Sequence, residues 1–258
     1  MEETGKNPIQ VAERLFQVIE RLAENGPMGI MDLSAELGFH KSTTHRLVTS
    51  LQYMGYIRQD EESLKYALSL KFLELGSKIL EQTNMASLIH PSLKKLSEQT
   101  GETVHLVRRE GTEAVYIDKV ESTVSSIRMV SRVGSRIPLY CSGVGKALLA
   151  ELPDPEIEDI WNSSEITSLT PYTVTSLSDL MDRIRGVREA GYAMDDEENE
   201  EGVRCIAVSI PDYHKEPVYA LSISAPVSRM TDARIAELST DVLTFKKDLE
   251  KTLGFSRS

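Results

Sequence analysis

Gly38 separates two short helical runs, Met31–Leu37 and Lys41–Met54, and this junction narrows the fold more than any other stretch of the chain. A glycine at a helix end can take the left-handed backbone that turns the chain into its next element. Before this pair, Val11, Leu15, Val18, Ile19 and Leu22 share one helical face, and Asn25-Gly26-Pro27 ends that helix. In the third run Thr44, Leu47, Val48 and Leu51 face inward, and Gly55 closes it. Tyr56-Ile57-Arg58 and Lys65-Tyr66-Ala67-Leu68 then read as two strands, joined by the acidic turn Asp60-Glu61-Glu62-Ser63. Three helices followed by a β-hairpin is the order of a winged helix-turn-helix, which assigns residues 8–69 to a DNA-binding domain.

The charge pattern agrees. From Leu37 to Gln59 there is no Asp or Glu, although the chain carries a net charge of −11. Lys41, Arg46 and Arg58 lie in that window with His40, His45, Ser42, Thr43, Thr44 and Ser50. The acidic balance argues against nucleic-acid binding over the whole surface. A local patch still acts on phosphates within a Debye length of about 8–10 Å. Short hydroxyls and Arg near a helix N-terminus suit phosphates and base edges. The expected DNA contacts are Lys41, Ser42, Thr43, His45 and Arg46, with Arg58 from the wing. The acidic wing tip suits no minor groove, so the wing is expected to grip DNA at its stem. The competing reading is a winged domain that touches only protein, with Arg46 an internal ion-pair partner and Arg58 facing solvent.

The remaining length suits a second domain. Leu70–Gln82 reads as a helix striped by Leu70, Leu73, Ile79 and Leu80, a connector over residues 70–84 that could pair with its own copy. Residues 85–255 read as a ligand-sensing domain. Helices are expected at Leu88–Gln99, Gly143–Leu152, Leu177–Ala190 and Asp232–Leu253. Strands are expected at Thr103–Arg109, Ala114–Val120, Ile127–Arg132, Tyr192–Asp195, Val203–Ile210 and Val218–Ser224. Tight links such as Asp212-Tyr213-His214-Lys215 favour a largely antiparallel sheet with helices packed on it, hence an α+β class. No apolar run approaches the roughly 20 residues of a membrane span. The polar Met1–Gln10 stretch shows no secretory signal. Cys141 and Cys205 form no CxxC pair, which fits a reducing compartment, so a cytoplasmic protein is expected.

Three segments together resemble the IclR family of bacterial transcriptional regulators: LSAELGFHKSTTHRL (33–47), GSRIPLYCSGVGKA (134–147) and DDEENEEGVRCIA (195–207). The likeness extends from about Val11 to Phe255. It implies a winged helix-turn-helix, a linker helix and a GAF-like effector domain built on an antiparallel sheet with helices. It also implies homodimers or homotetramers bound to palindromic double-stranded operators. Ser34 would be the small residue where the two helices touch. Thr44 departs from the aliphatic residue usual in the family and is expected to be half-buried. By the same resemblance, Asp195, Cys205, Ser222 and Ser224 would line an effector pocket with Gly143 and Val144.

The residues themselves bear on that pocket. Ser142-Gly143-Val144-Gly145-Lys146 reads as a loop entering a helix, with backbone N–H groups for an anion and Gly143 letting a ligand reach the main chain. It is no phosphate-cradling P-loop, because Tyr140 stands where the first Gly is required and Ala147 where Ser or Thr must hold magnesium. Ser222 and Ser224 share one side of a strand and need partners if buried. A small carboxylate could accept from both, Asp195 from a ligand hydroxyl, and Met129 would form an apolar wall. The bland alternative is that the serines bond to backbone and the cleft is empty. The rest of the acidic run to Glu201 reads as a solvated loop, and His90 and His105 as ordinary helix and strand residues. Cys141 and Cys205 read as apolar fillers, since no feature places a base beside them. No metal or cofactor is expected. The resulting expectation is a ligand-responsive repressor of a catabolic operon, controlled by a small organic acid. Its rivals are an enzyme with an incidental helix-turn-helix and an architectural DNA-binding protein without effector.

Overall fold

The computed structural model describes residues 9–82, 85–122, 130–212 and 214–253, without the side chains of 77 and 79–82. The chain divides into two compact units, Met1–Thr83 and Asn84–Ser258. The first unit contains α1 (Gln10–Asn25), α2 (Ile30–Leu37), α3 (Lys41–Tyr53), the antiparallel pair β1 (Ile57–Gln59) and β2 (Tyr66–Leu68), and α4 (Lys71–Gln82). Val18, Leu22, Leu33, Leu47, Val48, Leu51, Ile57 and Tyr66 form its core. Gly38 ends α2 at φ 65°, and the following Phe39 N–H returns to Ser34 O. Ser34 is buried because its hydroxyl donates to Ile30 O at 2.7 Å. Thr44 is fully buried, deeper than its polarity suggested, and its hydroxyl donates to His40 O at 3.3 Å. The helix backbone absorbs the one polar atom that an aliphatic residue would lack. At the wing tip Asp60 Oδ1 accepts both the N–H and the hydroxyl of Ser63, which holds the Asp60 carboxyl below its usual pKa. On the expected stripe of α4, Leu70 is 81% and Leu73 67% exposed, while Ile79 and Leu80 lie among the undescribed side chains.

The second unit opens with α5 (Met85–Thr100), β3 (Thr103–Glu110), β4 (Glu113–Val120), β5 (Arg136–Pro138), α6 (Gly143–Ala150), α7 (Asp154–Asn162) and α8 (Leu177–Ala190). It closes with β6 (Ala193–Asp196), β7 (Val203–Ile210), β8 (Tyr219–Pro226) and α9 (Asp232–Thr252). The six strands run in the order β5-β4-β3-β8-β7-β6, each antiparallel to its neighbours. Pleating gives the sheet two unlike faces. Val104, Leu106, Ile206, Val208, Leu221 and Ile223 form one core with Ile89 and Leu93 of α5 and Ile235, Leu238 and Val242 of α9. The other face is built of small residues. Ala114, Ala193, Ala207 and Ala220 leave room for Val144, Ala147 and Leu148 of α6 and for Leu180 and Ile184 of α8. Large side chains there would hold α6 away from the sheet.

Two expectations differ from the structure. Of the strand expected at Ile127–Arg132, residues 127–129 lie outside the described residues, and 130–132 form no strand. Gly134, at φ 89°, turns the chain, and the edge of β4 is paired by Arg136–Pro138 instead. Helix α7 was not expected; Ile157, Ile160 and Trp161 give it an apolar stripe against the core, but the helix has only nine residues.

Candidate functional site

On α3 the buried side of Thr44, Leu47, Val48 and Leu51 fixes which residues face out. Lys41, Ser42, His45, Arg46 and Thr49 are exposed and Thr43 is half-buried. No side chain caps the helix at His40 and no acid stands in its first turn. His40 O takes the N–H groups of Thr43 and Thr44, and those of Lys41 and Ser42 have no backbone acceptor among the described residues. The positive end of α3 is therefore open to an anion. Among the described residues Arg46 enters no ion pair, so the internal-partner reading finds no support. Arg58 is exposed on β1, at the wing stem.

The second unit holds a small cavity of about 40 Å³, partly open to solvent, between α6, the sheet and the turn after β6. Its walls include Gly143, Val144, Asp195, Cys205, Ser222 and Ser224, which brings six of the seven expected effector residues together; Met129 lies outside the described residues. The register explains the grouping. Asp195 pairs with Cys205, and Cys205 with Ser224. One step along, Ala207 pairs with Ser222 and Ser222 with His105. Pairs across a pleated sheet face the same way, so these residues form two rows under α6.

Each group is held by identifiable partners. Ser142 caps α6, accepting the Gly145 N–H at 3.1 Å while donating its hydroxyl to Pro138 O at 2.6 Å. A Cβ on Gly143 would lie 2.6 Å from Cys205 Sγ, so the open side of this glycine is filled by sulfur and serves first to seat α6 on β7. Asp195 Oδ1 accepts the N–H groups of Glu198 at 2.8 Å and Asn199 at 3.3 Å, which leaves Oδ2 without a partner among the described residues. Burial pushes the Asp195 carboxyl up to about 7, against the pull of Lys146. Burial also pushes the Cys141 thiol up to about 12 and raises that of Cys205, so neither is an activated nucleophile.

His105 was expected in an ordinary strand setting, but it lies in this pocket. Its Nε2 is 2.7 Å from Ser131 Oγ, and its Nδ1 is 3.4 Å from the hydroxyls of both Ser222 and Ser224. The ring of Tyr116 meets it edge-on at 5.1 Å. Burial, aided by the nearby Lys119 charge, lowers the His105 pKa to about 3, so the imidazole is neutral. The two serines thus meet one another and a histidine at long range, and the backbone-bonded alternative does not describe them. Alternation along β3 was the available signal for His105, since it places His105 with Thr103 and Val107 on one face.

The acidic run is also more than a solvated loop. Glu198 is 2% exposed and pairs with the equally buried Lys146 of α6. Thr170 and Thr173 donate their hydroxyls to the carbonyls of Glu197 and Glu198, at 2.6 Å each. Asn199 and Glu200, on the same turn, line the cavity. Among the described residues, no three His, Cys, Asp or Glu side chains group closely enough to hold a metal.

A helix-turn-helix with an open recognition helix and a separate sheet domain with a polar cavity define a DNA-binding regulator with a receptor domain. Family comparisons agree. The IclR helix-turn-helix domain matches residues 11–61, and the bacterial transcriptional regulator IclR C-terminal domain matches residues 77–250. The chain is 36% identical to the acetate operon repressor of Salmonella typhimurium over 252 residues, covering 96% of this chain and 92% of that one. It is 36% identical to the transcriptional regulator XynR of Escherichia coli, covering 96% and 98%. The crystal structure of the Thermotoga maritima IclR superposes with a TM-score of 0.63 at 31% identity, covering 95% of this chain and 99% of that one. The chain belongs to the IclR family of bacterial transcriptional regulators. It is a DNA-binding regulator of transcription, and its relatives are regulators and not enzymes.

Proposed function

We propose that the protein is a cytoplasmic repressor of a catabolic operon, released from or fixed to its operator by a small organic acid. Residues 8–69 form the DNA-binding domain, 70–84 the linker and 85–255 the effector domain. Lys41, Ser42, Thr43, His45 and Arg46 enter the major groove of a palindromic duplex, with Arg58 at the backbone. A homodimer or homotetramer presents two such headpieces, consistent with the exposed Leu73 on α4 and Leu70 just before it. Among the described residues no helix is long and apolar enough to cross a membrane. The similarity to a protein named acetate operon repressor supports repression of a catabolic operon.

The observation that carries the effector reading is the cavity's layout. Ser222 and Ser224 supply two hydroxyls on one side, and the Val144 N–H at the start of α6 has no backbone acceptor among the described residues. Asp195 presents its uncommitted Oδ2 two strands away from Ser224. Strand spacing makes that about 10 Å between main chains, which a short hydroxy or keto acid spans once side chains reach inward. Its carboxylate takes the hydroxyls and its other polar end meets Asp195. Gly143, Val144 and Cys205 complete the walls. Ligand binding shifts the spacing of the headpieces because the acid binds one arrangement better than the other.

A thermal-shift screen with pyruvate, lactate and gluconate tests the site. At least one acid raises the melting temperature of the wild type, since binding to the native state alone stabilises it. An Asp195→Ala, Ser222→Ala double variant stabilised equally by the same acid would place the site elsewhere.

A further inference from the structure

We infer that the pocket takes its acid ligand together with one proton, which comes to rest on Oδ2 of Asp195. The inference rests on the organic-acid reading above and adds to it how the ligand's charge is balanced. Two carboxyl groups, those of Asp195 and Glu200, line the cavity, and among the described residues no Lys or Arg does. The nearby cation, Lys146, is locked in its buried pair with Glu198 and brings no net charge. His105 on β3 is neutral. Tyr116 on β4, Cys205 on β7 and Cys141 before α6 are all held in their protonated forms by burial. Lys119 on β4, whose charge reaches His105, is itself paired with Glu121 at 3.2 Å and donates to Ser131 O. An entering carboxylate would therefore face one or two negative charges with no uncommitted positive group among the described residues to offset them. Like charges in a poorly solvated site cannot all persist, and the most buried group takes up a proton.

Asp195 is that group. It is 6% exposed, whereas Glu200 is half-buried. Its two oxygens are already divided: Oδ1 accepts the turn's N–H groups, and Oδ2, on a side chain that lines the cavity, has no hydrogen-bond partner among the described residues. A proton drawn from solvent onto Oδ2 makes it a donor to the ligand without disturbing the turn. Even without ligand, burial brings this carboxyl up to about 7.

Calorimetric titration of the full-length protein with pyruvate, lactate and gluconate between pH 6 and 9, in phosphate and in Tris, tests this. Comparing buffers of different ionisation heat gives the number of protons taken up. Near pH 8 the binding acid is expected to take up close to one proton, and its Kd to weaken by about tenfold per pH unit above neutrality. Asp195→Asn keeps Oδ1 for the turn and offers a permanent N–H donor. It is expected to bind the acid with a Kd that no longer depends on pH and lies near the wild-type value at pH 6. Glu200→Gln is expected to keep the wild-type slope. A wild-type Kd that is flat from pH 6 to 9, with no proton uptake, overturns the inference alone. So does Glu200→Gln abolishing the slope, a result that decides the matter even if Asp195→Asn fails to fold. Failure of all three acids to bind at any pH overturns the organic-acid reading, and this inference with it.

Discussion

Lys146 and Glu198 are each almost wholly out of water, and removing one leaves the other as an uncompensated buried charge. Glu198→Gln is expected to cost about 3–5 kcal/mol of unfolding free energy, read by urea denaturation. Replacing both by apolar residues, Lys146→Met with Glu198→Leu, should cost much less, since both desolvation terms vanish. Gly145 is equally constrained: a Cβ there would sit 2.1 Å from the Leu139 carbonyl oxygen. Gly145→Ala must shift main chain, at a cost of about 1–3 kcal/mol or more in the same measurement. Asp195 gives a pH signature in the free protein. Its carboxyl is raised from 3.8 to about 7, so the native state keeps a proton that the unfolded state releases. The stability linked to this group is fully present below about pH 4 and is lost as pH rises through 7. Thermal melts of wild type and Asp195→Asn should therefore diverge from pH 5 to 8, the wild type losing more. At this scale the sequence was partly legible. The serine pair and Asp195 stand at strand positions whose side is readable from alternation. The Lys146–Glu198 pair joins residues far apart in sequence, and nothing local marks Glu198 among its acidic neighbours.

The recognition helix α3 owes its orientation to four inward residues, and the same period that buries them exposes Lys41, Ser42, His45 and Arg46. Arg46→Ala is expected to weaken operator binding. If Arg46 touches a phosphate, the log–log salt slope falls by about one; if it reads a base edge, the loss is about 1–3 kcal/mol and depends on that base. A mobility-shift series across salt separates these outcomes, and unchanged affinity would remove Arg46 from the interface. Elements with a strong period or strong β-formers were readable: α8 and β7 lie where the pattern put them. Those that escaped are short or one-sided. β5 has three residues on a sheet edge, and the apolar stripe of α7, Ile157, Ile160 and Trp161, spans little more than one turn, so neither writes a pattern long enough to register.

The molecule keeps its two tasks in separate compact units. One carries every expected DNA contact, and the other every described residue of the cavity. The composition alone, acidic and without a catalytic motif, pointed to neither task; the acid-free window and the three family segments did. If the second unit senses and the first binds, an acid that occupies the cavity must change the affinity for DNA. The direct test is fluorescence anisotropy with a palindromic duplex selected by the protein from a random pool, titrated with and without the acid found by thermal shift. Coupling of about 1–3 kcal/mol is typical of such systems, so the operator Kd should move about 5–150-fold in the wild type. It should stay fixed in the Asp195→Ala, Ser222→Ala variant. An operator Kd that the bound acid leaves unchanged in the wild type would contradict the account.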